Sequence, residues 1–232
     1  MPGALADNLA TVRARIRRAA ESAGRDPASV RLIAVSKTFG PEHVRAAAAA
    51  GQLDFGENKV QEALQKIGVS ADLEIAWHLI GHLQSNKARK AATSFAWIHS
   101  IDSVDLLERV DRAAAEGARS PCLLVQIDLA GEETKHGAPP TAAAEIFAAA
   151  RGCRAARVSG LMVLPPWSTD AERTRPYFRR LRELREDLAA GGVPMDMLRE
   201  LSMGMSNDYE VAIAEGATMV RIGTAIFGRR HV

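Results

Sequence analysis

Cysteine, aromatic residues, long apolar runs and an excess of one charge are all scarce or absent in this sequence of 232 residues. Only two cysteines occur, Cys122 and Cys153, and their number and spacing exclude a disulfide framework and a thiolate metal cluster. We expect both to be buried free thiols in a reducing compartment. Basic and acidic side chains number 30 and 28, so the net charge of +2 implies no polyanionic partner. We therefore expect no nucleic acid to bind.

Membrane and export signals are absent as well. No apolar run approaches the roughly 20 residues that span a bilayer. The first residues, MPGALAD, lack a basic segment followed by an apolar one, which is the pattern of a secretory leader. The arginine-rich stretch 173–185 is interleaved with acids and is interpreted as a solvated helix face. We expect a cytoplasmic protein without a membrane partner.

The composition that remains is that of an ordinary globular protein, with 47% hydrophobic and 25% charged residues. Short β-rich runs alternate with stretches of helical periodicity. The predicted strands are 31–36, 53–56, 75–80, 96–101, 122–128, 157–164, 200–203 and 219–222. The predicted helices include 5–23, 41–50, 60–67, 104–116, 141–151, 172–189 and 208–214.

Eight strands alternating with helices predict an α/β fold, a (β/α)8 TIM barrel with an extra N-terminal helix. Several strands are almost continuously apolar, which is typical of parallel strands covered on both faces. A doubly wound open sheet is the alternative. Such a sheet normally carries a glycine-rich turn after its first strand, and the segment 36–40, SKTFG, is not one. No linker or repeat divides the chain, so we predict a single domain over residues 1–232.

Lys37 follows the first predicted strand, at the end where barrels place their active sites. Alternation along the strand puts it on the same face as Ile33 and Val35. If that face lines the barrel, desolvation lowers the pKa of the lysine and leaves an amine suited to Schiff-base formation. The alternative is a strand-end lysine that reaches solvent.

Arg221, in the eighth strand, favours the first interpretation. The first and eighth strands of a closed barrel are neighbours, so Lys37 and Arg221 would project into one mouth. Neither strand contains an acid inside it to neutralise the pair. Two adjacent cations therefore suggest an anionic or electron-rich ligand between them.

The loops after the seventh and eighth strands resemble a phosphate site. Barrels commonly bind phosphate there through backbone N–H groups and the start of a short helix. Gly223 permits close approach of the backbone, Thr224 offers a hydroxyl, and Ser206 precedes the next helix. The alternative is that Ser206 and Thr224 are only helix caps.

Further polar and soft side chains lie at or near the same mouth. Asn58 follows the second strand. His78 lies within the third strand, either as a packed, hydrogen-bonded core histidine or as a flat ring that stacks on a ligand. Met162, in the sixth strand, is either core or the floor of a ring pocket. His99 and His136 have no partners at metal-binding spacing, so we expect no metal site.

Five segments at these strand ends resemble one known family, the pyridoxal phosphate homeostasis proteins, also called the proline synthetase co-transcribed family. They are 34–38 (AVSKT), 55–58 (FGEN), 77–87 (WHLIGHLQSNK), 201–206 (LSMGMS) and 220–228 (VRIGTAIFG). The resemblance spans nearly the whole chain. It implies a barrel similar to the N-terminal domain of alanine racemase, without the second domain.

The resemblance also implies a cofactor, pyridoxal 5′-phosphate (PLP), held as a Schiff base on Lys37. It implies that Arg221 faces the pyridine nitrogen and that the phosphate is held by Ser206, Gly223 and Thr224. Asn58 and His78 fall on the family's ring-lining positions. The implied role is intracellular homeostasis of vitamin B6, without established turnover.

We therefore expect a carrier of PLP rather than an enzyme, with PLP-dependent apo-enzymes as partners and a monomeric state. An arginine opposite the pyridine nitrogen makes the ring a weak electron sink. The alternatives are a small PLP-dependent amino-acid racemase and a cofactor-free Schiff-base aldolase. A racemase needs a second base, and of the two tyrosines, Tyr177 and Tyr209, we expect Tyr209 to be a packing residue.

Overall fold

The computed structural model describes residues 2–131 and 136–228 and shows eight parallel strands that close into a barrel in chain order. The strands are β1 Arg31–Val35, β2 Asp54–Glu57, β3 Ala76–Leu79, β4 Trp97–Ile101, β5 Cys122–Ile127, β6 Arg157–Val163, β7 Glu200–Met205 and β8 Met219–Ile222. β1 pairs with both β2 and β8, which closes the barrel, and Ile33 lies opposite Arg221 in the register.

Helices cover the outside of the barrel. They are α1 Pro2–Ser22, α2 Pro41–Ala49, α3 Val60–Val69, α4 Ala88–Ser94, α5 Val104–Glu116, α6 Ala143–Ala150, α7 Arg175–Ala190, α8 Tyr209–Ala214 and α9 Thr224–Phe227. Their inward stripes follow the helical period: α5 buries Leu106, Leu107 and Val110, and the hydroxyl of Ser103 accepts from the amide of Leu106 at its start. None of the helices in the described ranges is long and apolar enough to cross a membrane.

Two apolar regions follow from the alternation of side chains along each strand. The larger one fills the space between strands and helices and includes Ala34 and Phe55. The smaller one lies inside the barrel, where Ile33, Leu124, Met162 and Met219 pack together. Ile33 and Ala34 are neighbours that face opposite sides of β1, as the period of two requires. The interior face of β1 is therefore the one that Val35 extends toward the mouth.

The closed barrel and the extra N-terminal helix confirm the predicted fold and exclude the open doubly wound sheet. The prediction gave no bounds for α4, a helix of seven residues whose buried stripe consists of alanines alone. The expectation of two buried thiols was wrong in part: Cys122 and Cys153 are free but only half-buried, because Cys122 begins β5 and Cys153 lies in a loop. Partial burial raises the pKa of the Cys153 thiol to about 11.

Candidate active site

The turn that follows β1 carries Lys37, two residues beyond Val35. Val35 lies inside the barrel mouth, since a Cβ at Gly56 of β2 or at Gly223 after β8 would lie 3.5 or 3.4 Å from its side chain. Lys37 is half-buried. The chain thus leaves β1 between the ends of β2 and β8 with its lysine at the mouth.

Buried ionic contacts hold the residue before the lysine in place. Lys66 of α3 donates to the carbonyl of Ser36 at 2.8 Å and to Oε1 of Glu57 at 2.7 Å. The hydroxyl of Ser36 donates to the same Glu57 oxygen at 2.6 Å. Glu57 and Ser36 are fully buried, so these contacts act in a medium of low dielectric constant. The backbone just before Lys37 is therefore fixed to both β2 and α3.

The residue after the lysine is held as well. Thr38 adopts a φ of 70°, which is unfavourable for a β-branched residue. Its amide donates to Oε1 of Glu62 at 2.7 Å, and Glu62 also accepts from Lys66 at 3.1 Å. One helix, α3, thus fixes the backbone on both sides of Lys37. The contacts of Glu57, Glu62 and Lys66 were not predicted from the sequence, although Glu57 belongs to the segment 55–58 at the end of the second strand. Glu62 and Lys66 gave no signal beyond their charge on an amphipathic helix.

Arg221 lies inside the barrel, 3% exposed, below the end of β8. Its Nη1 donates to the hydroxyl of Ser202 at 2.6 Å, and its Nη2 donates to the carbonyl of Val163 at 2.9 Å. Burial lowers the pKa of the guanidinium to about 10, although the charge of Asp208 opposes the shift. The group is therefore still a cation at neutral pH, held by two bonds in one orientation.

The loops after β7 and β8 approach each other through Ser206 and Gly223. The amide of Gly223 donates to the hydroxyl of Ser206 at 3.3 Å, so a single anion can contact both donors. A side chain at position 223 would be crowded, because a Cβ there would lie 3.2 Å from the carbonyl oxygen of Val35. Thr224 is exposed and begins α9. The three predicted phosphate ligands are brought together next to β1.

A glycine and a buried aspartate shape the first of these loops. Gly204 has a φ of +92°, and a Cβ there would lie 2.6 Å from the Cβ of Ala212 and 2.9 Å from the Cα of Tyr209. Asp208 accepts from the amide of Met205 at 2.6 Å. Burial raises the pKa of Asp208 against the opposing effects of that amide and of nearby charge. The backbone on both sides of Ser206 is thus fixed by close packing at Gly204 and by the hydrogen bond between Asp208 and Met205.

His78 lies lower in the barrel than a residue at the mouth. It is fully buried, and its Nε2 lies 2.9 Å from Oδ1 of Asp54 at the opposite, N-terminal end of the strands. Its Nδ1 lies 3.0 Å from Nε2 of His99. Its ring stacks on Trp97, with centroids 5.7 Å apart and planes 1° apart. These are the contacts of the packed, hydrogen-bonded histidine that the sequence analysis weighed against a ring-lining role.

Asn58 and Met162 occupy different levels. Asn58 is half-buried directly after β2, and its carbonyl lies so close to Gly81 that any side chain there would collide with it. Asn58 is therefore at the mouth, as predicted. Met162 is fully buried among Ile33 and other apolar residues inside the barrel, which is the core alternative of the sequence analysis.

Other histidines cluster near the mouth without forming a metal centre. The rings of His82 and His136 stack with centroids 3.5 Å apart, and Nδ1 of His82 lies 3.7 Å from a carboxylate oxygen of Asp102. Across residues 2–131 and 136–228, no group of three or more histidine, cysteine, aspartate or glutamate side chains is arranged to hold a metal ion.

Tyr209 is buried, with the guanidinium of Arg15 from α1 over its ring.

Comparison with known proteins gives one consistent result. Residues 8–231 match the family model described as the alanine racemase N-terminal domain. The pyridoxal phosphate homeostasis proteins of Pseudomonas aeruginosa and Aquifex aeolicus are 46% and 42% identical to this chain, and each alignment covers 97% of this chain and 96% or 97% of the relative.

Solved structures agree with the sequence relatives. PipY of Synechococcus elongatus with PLP bound superposes with a TM-score of 0.86 at 43% identity, covering 97% of this chain and all of PipY. Alanine racemase of Clostridium difficile superposes with a TM-score of 0.75 at 14% identity, and the match covers 58% of the racemase chain. At that identity the second likeness concerns the fold alone.

Proposed function

The chain belongs to the family of pyridoxal phosphate homeostasis proteins, whose barrel is the alanine racemase N-terminal domain, and from this premise we propose that it binds PLP and maintains intracellular vitamin B6. The family predicted from the sequence is thus confirmed. One observation carries the proposal: β1 and β8 pair, so the turn of Lys37 lies beside the strand of Arg221 and the donors of Ser206 and Gly223.

The residues at the mouth fit the chemical groups of PLP. When bound, the cofactor supplies an aldehyde that condenses with a primary amine, and Lys37 is the amine. A dianionic phosphate matches the hydroxyl of Ser206, the amide of Gly223 and the hydroxyl of Thr224. Arg221 supplies a fixed N–H donor for a pyridine nitrogen. Asn58 lies at the edge of the same mouth.

The same residues favour a carrier over an enzyme. A guanidinium only donates hydrogen bonds, so Arg221 leaves a pyridine nitrogen facing it without a proton. A ring in that state withdraws electrons weakly, and deprotonation of a bound amino acid is then slow. Tyr209 is buried under α1, where it cannot serve as the second base of a racemase. The family's relatives are likewise named as homeostasis proteins and not as enzymes.

Absorption spectroscopy tests the proposal. We expect purified protein mixed with PLP to absorb visible light, and borohydride to fix the cofactor covalently to the peptide that contains Lys37. Lys37→Ala should abolish that fixation. Lys59→Ala is the matched control, because Lys59 is an exposed lysine at the same end of the barrel. Equal fixation in the Lys37→Ala variant would overturn the proposal, and a protein that never takes up PLP would favour the aldolase.

Isotope exchange separates the carrier from the racemase. We expect loaded protein, incubated with L-alanine in heavy water, to incorporate no more α-deuterium than free PLP does. Clear production of D-alanine above that background would identify an enzyme instead.

We further infer a cytoplasmic monomer that passes PLP to apo-enzymes. The free thiols of Cys122 and Cys153 suit a reducing compartment. Sedimentation should give one species near 24.9 kDa, and a dimer would contradict this. Transfer is tested by restoring the activity of a PLP-dependent apo-enzyme with loaded protein.

A further inference from the structure

A continuous row of hydrogen-bonded side chains crosses the inside of the barrel. It runs from Asp54 to His78 at 2.9 Å, from His78 to His99 at 3.0 Å, from His99 to Ser202 at 2.9 Å, and from Ser202 to Arg221 at 2.6 Å. The five residues come from β2, β3, β4, β7 and β8. We call this row the interior chain. It joins the N-terminal rim of the barrel to the guanidinium below the mouth.

Donor chemistry gives the interior chain a single direction. Arg221 can only donate, so the Ser202 oxygen accepts from it and the Ser202 hydroxyl is left to donate to Nδ1 of His99. Nε2–H of His99 then donates to Nδ1 of His78, and Nε2–H of His78 donates to the carboxylate of Asp54. Every bond is satisfied when both histidines are neutral and carry their proton on Nε2.

Burial supports these neutral forms. Both imidazoles are fully enclosed, and desolvation lowers the pKa of His78 and, more strongly, that of His99. The positive charge of Arg221 also lowers the pKa of His99, whereas Asp54 opposes the shift at His78. The interior chain therefore has its positive charge at one end and its negative charge at the other, with neutral groups between them.

The two ends differ in their surroundings. The carboxylate of Asp54 has 21% of its side chain exposed and lies 3.5 Å from the guanidinium of Arg31. Glu200 lies close enough to influence His78 as well. At the other end, Arg221 is enclosed, bonded to Val163 and influenced by Asp208.

We propose that Asp54, His78, His99 and Ser202 are positioning residues for Arg221, which fix its guanidinium below the mouth and transmit the charge of Asp54 toward the bound cofactor. The inference rests on the proposed function. Hydrogen bonds in a buried chain polarise one another, so the carboxylate strengthens each bond in turn. Outer partners of this kind orient the group that touches the ligand, as they do around metal centres. A rim carboxylate thus acts on the Schiff base without touching it.

The first experiment needs no cofactor. Nitrogen-15 NMR of the histidine rings in unloaded wild-type protein should show two neutral Nε2–H tautomers at about pH 7.5. In Ser202→Ala, the signal of His99 Nδ1 should move, because it loses its donor. A protonated imidazole or an Nδ1–H tautomer at either position would overturn the interior chain, whether or not PLP binds.

The second experiment measures the effect on the loaded protein. Asp54→Asn keeps an oxygen that accepts from His78 but removes the negative charge. Loss of that charge makes the positively charged, protonated form of the Schiff base less favourable. We expect the pH midpoint of its absorption change to fall by about half a unit. Asp72→Asn is the matched control, because Asp72 precedes β3 at the same end of the barrel and pairs with Arg45. Its midpoint should equal that of the wild type.

The outcomes distinguish the two proposals. Equal midpoints in Asp54→Asn, Asp72→Asn and wild-type protein would overturn the transmission of charge while leaving PLP binding intact. A wild-type protein that binds no PLP would overturn the proposed function and, with it, the effect on the Schiff base. Loss of thermal stability in Asp54→Asn without a shift of the midpoint would indicate a purely structural role and would likewise contradict the inference.

Discussion

Arg221 combines full burial with a charge that it keeps. Removing a guanidinium from water is unfavourable, and two hydrogen bonds, to Ser202 and to the carbonyl of Val163, offset only part of that cost. An apolar side chain at this point in the barrel would make the folded protein more stable. The charged group is therefore best explained by a ligand at the mouth that needs a permanent donor.

Replacing Arg221 by glutamate tests that explanation. We expect Arg221→Glu still to form the Schiff base, because Lys37 and the phosphate donors are unchanged. A carboxylate that faces the pyridine nitrogen stabilises a proton on that nitrogen, and the ring then withdraws electrons more strongly. The absorption should therefore shift, and some transamination of added amino acids should appear. Spectra and pyridoxamine phosphate formation are the measurements. Arg89→Glu, an exposed control, should change neither. An unaltered spectrum in Arg221→Glu would mean that the arginine does not touch the ring.

At the scale of secondary-structure elements, a carboxylate on α5 ties the helix layer to the start of β6. Oδ1 of Asp111 accepts from the amides of Ala155 and Ala156, each at 2.8 Å, and from that of Arg154 at 3.1 Å. Partial burial alone would raise the pKa of Asp111, but the three amides outweigh it and the pKa is lowered. The contact is therefore worth most when the carboxylate is ionised.

Loss of this contact should weaken the fold without affecting the mouth. We expect Asp111→Ala to lower the free energy of unfolding by about 2 kcal/mol, the value of hydrogen bonds to a charged group. Asp111→Asn should lose less, because it keeps one acceptor oxygen. The difference between wild type and Asp111→Ala should be complete above about pH 4 and should shrink as the pH falls through the lowered pKa of Asp111. Urea unfolding measures the free energy of unfolding of each variant and its dependence on pH. A difference between wild type and Asp111→Ala that stays constant down to low pH would contradict the ionic explanation.

Across the whole molecule, a polar row inside an otherwise apolar barrel makes stability depend on pH. The folded pKa of His99 lies well below 6.5 because of burial, the neighbouring His78 and Arg221. Below about pH 6.5, a histidine in the unfolded chain takes up a proton that the folded protein does not bind. Protonation therefore stabilises the unfolded state, and the free energy of unfolding decreases as the pH falls below about 6.5.

We expect His99 to lower the free energy of unfolding by roughly 1 kcal/mol between about pH 6.5 and about pH 5.5, with a slope that approaches about 1.4 kcal/mol per pH unit at the lower end. Urea unfolding of His99→Gln should show a shallower slope than wild type over this interval. His43→Gln, which changes an exposed histidine of α2, should keep the wild-type slope. Identical slopes in all three proteins would mean that His99 is protonated in the folded state.

Most of the architecture followed from local pattern. Short β-rich runs, several of them almost continuously apolar, indicated eight strands, and the intervening stretches of helical periodicity implied a closed parallel barrel. Closure by itself makes β1 and β8 neighbours, so the proximity of Lys37 and Arg221 needed no further information. The bounds of α4 were not predicted, because a helix of seven residues that buries only alanines carries little apolar signal.

What only the tertiary structure decided is which polar side chains meet. His99 and Ser202 are 103 positions apart, and Glu57 bonds to a lysine of the following helix. Alternation along a strand fixes the face of a side chain, but the stagger between strands fixes its level and the rotamer fixes its direction. His78 therefore lies inside the barrel and yet its Nε2 bonds to Asp54 at the N-terminal rim. The sequence determined the barrel and its mouth; three-dimensional packing determined the interior chain, because hydrogen bonds depend on distances that no spacing along the chain encodes.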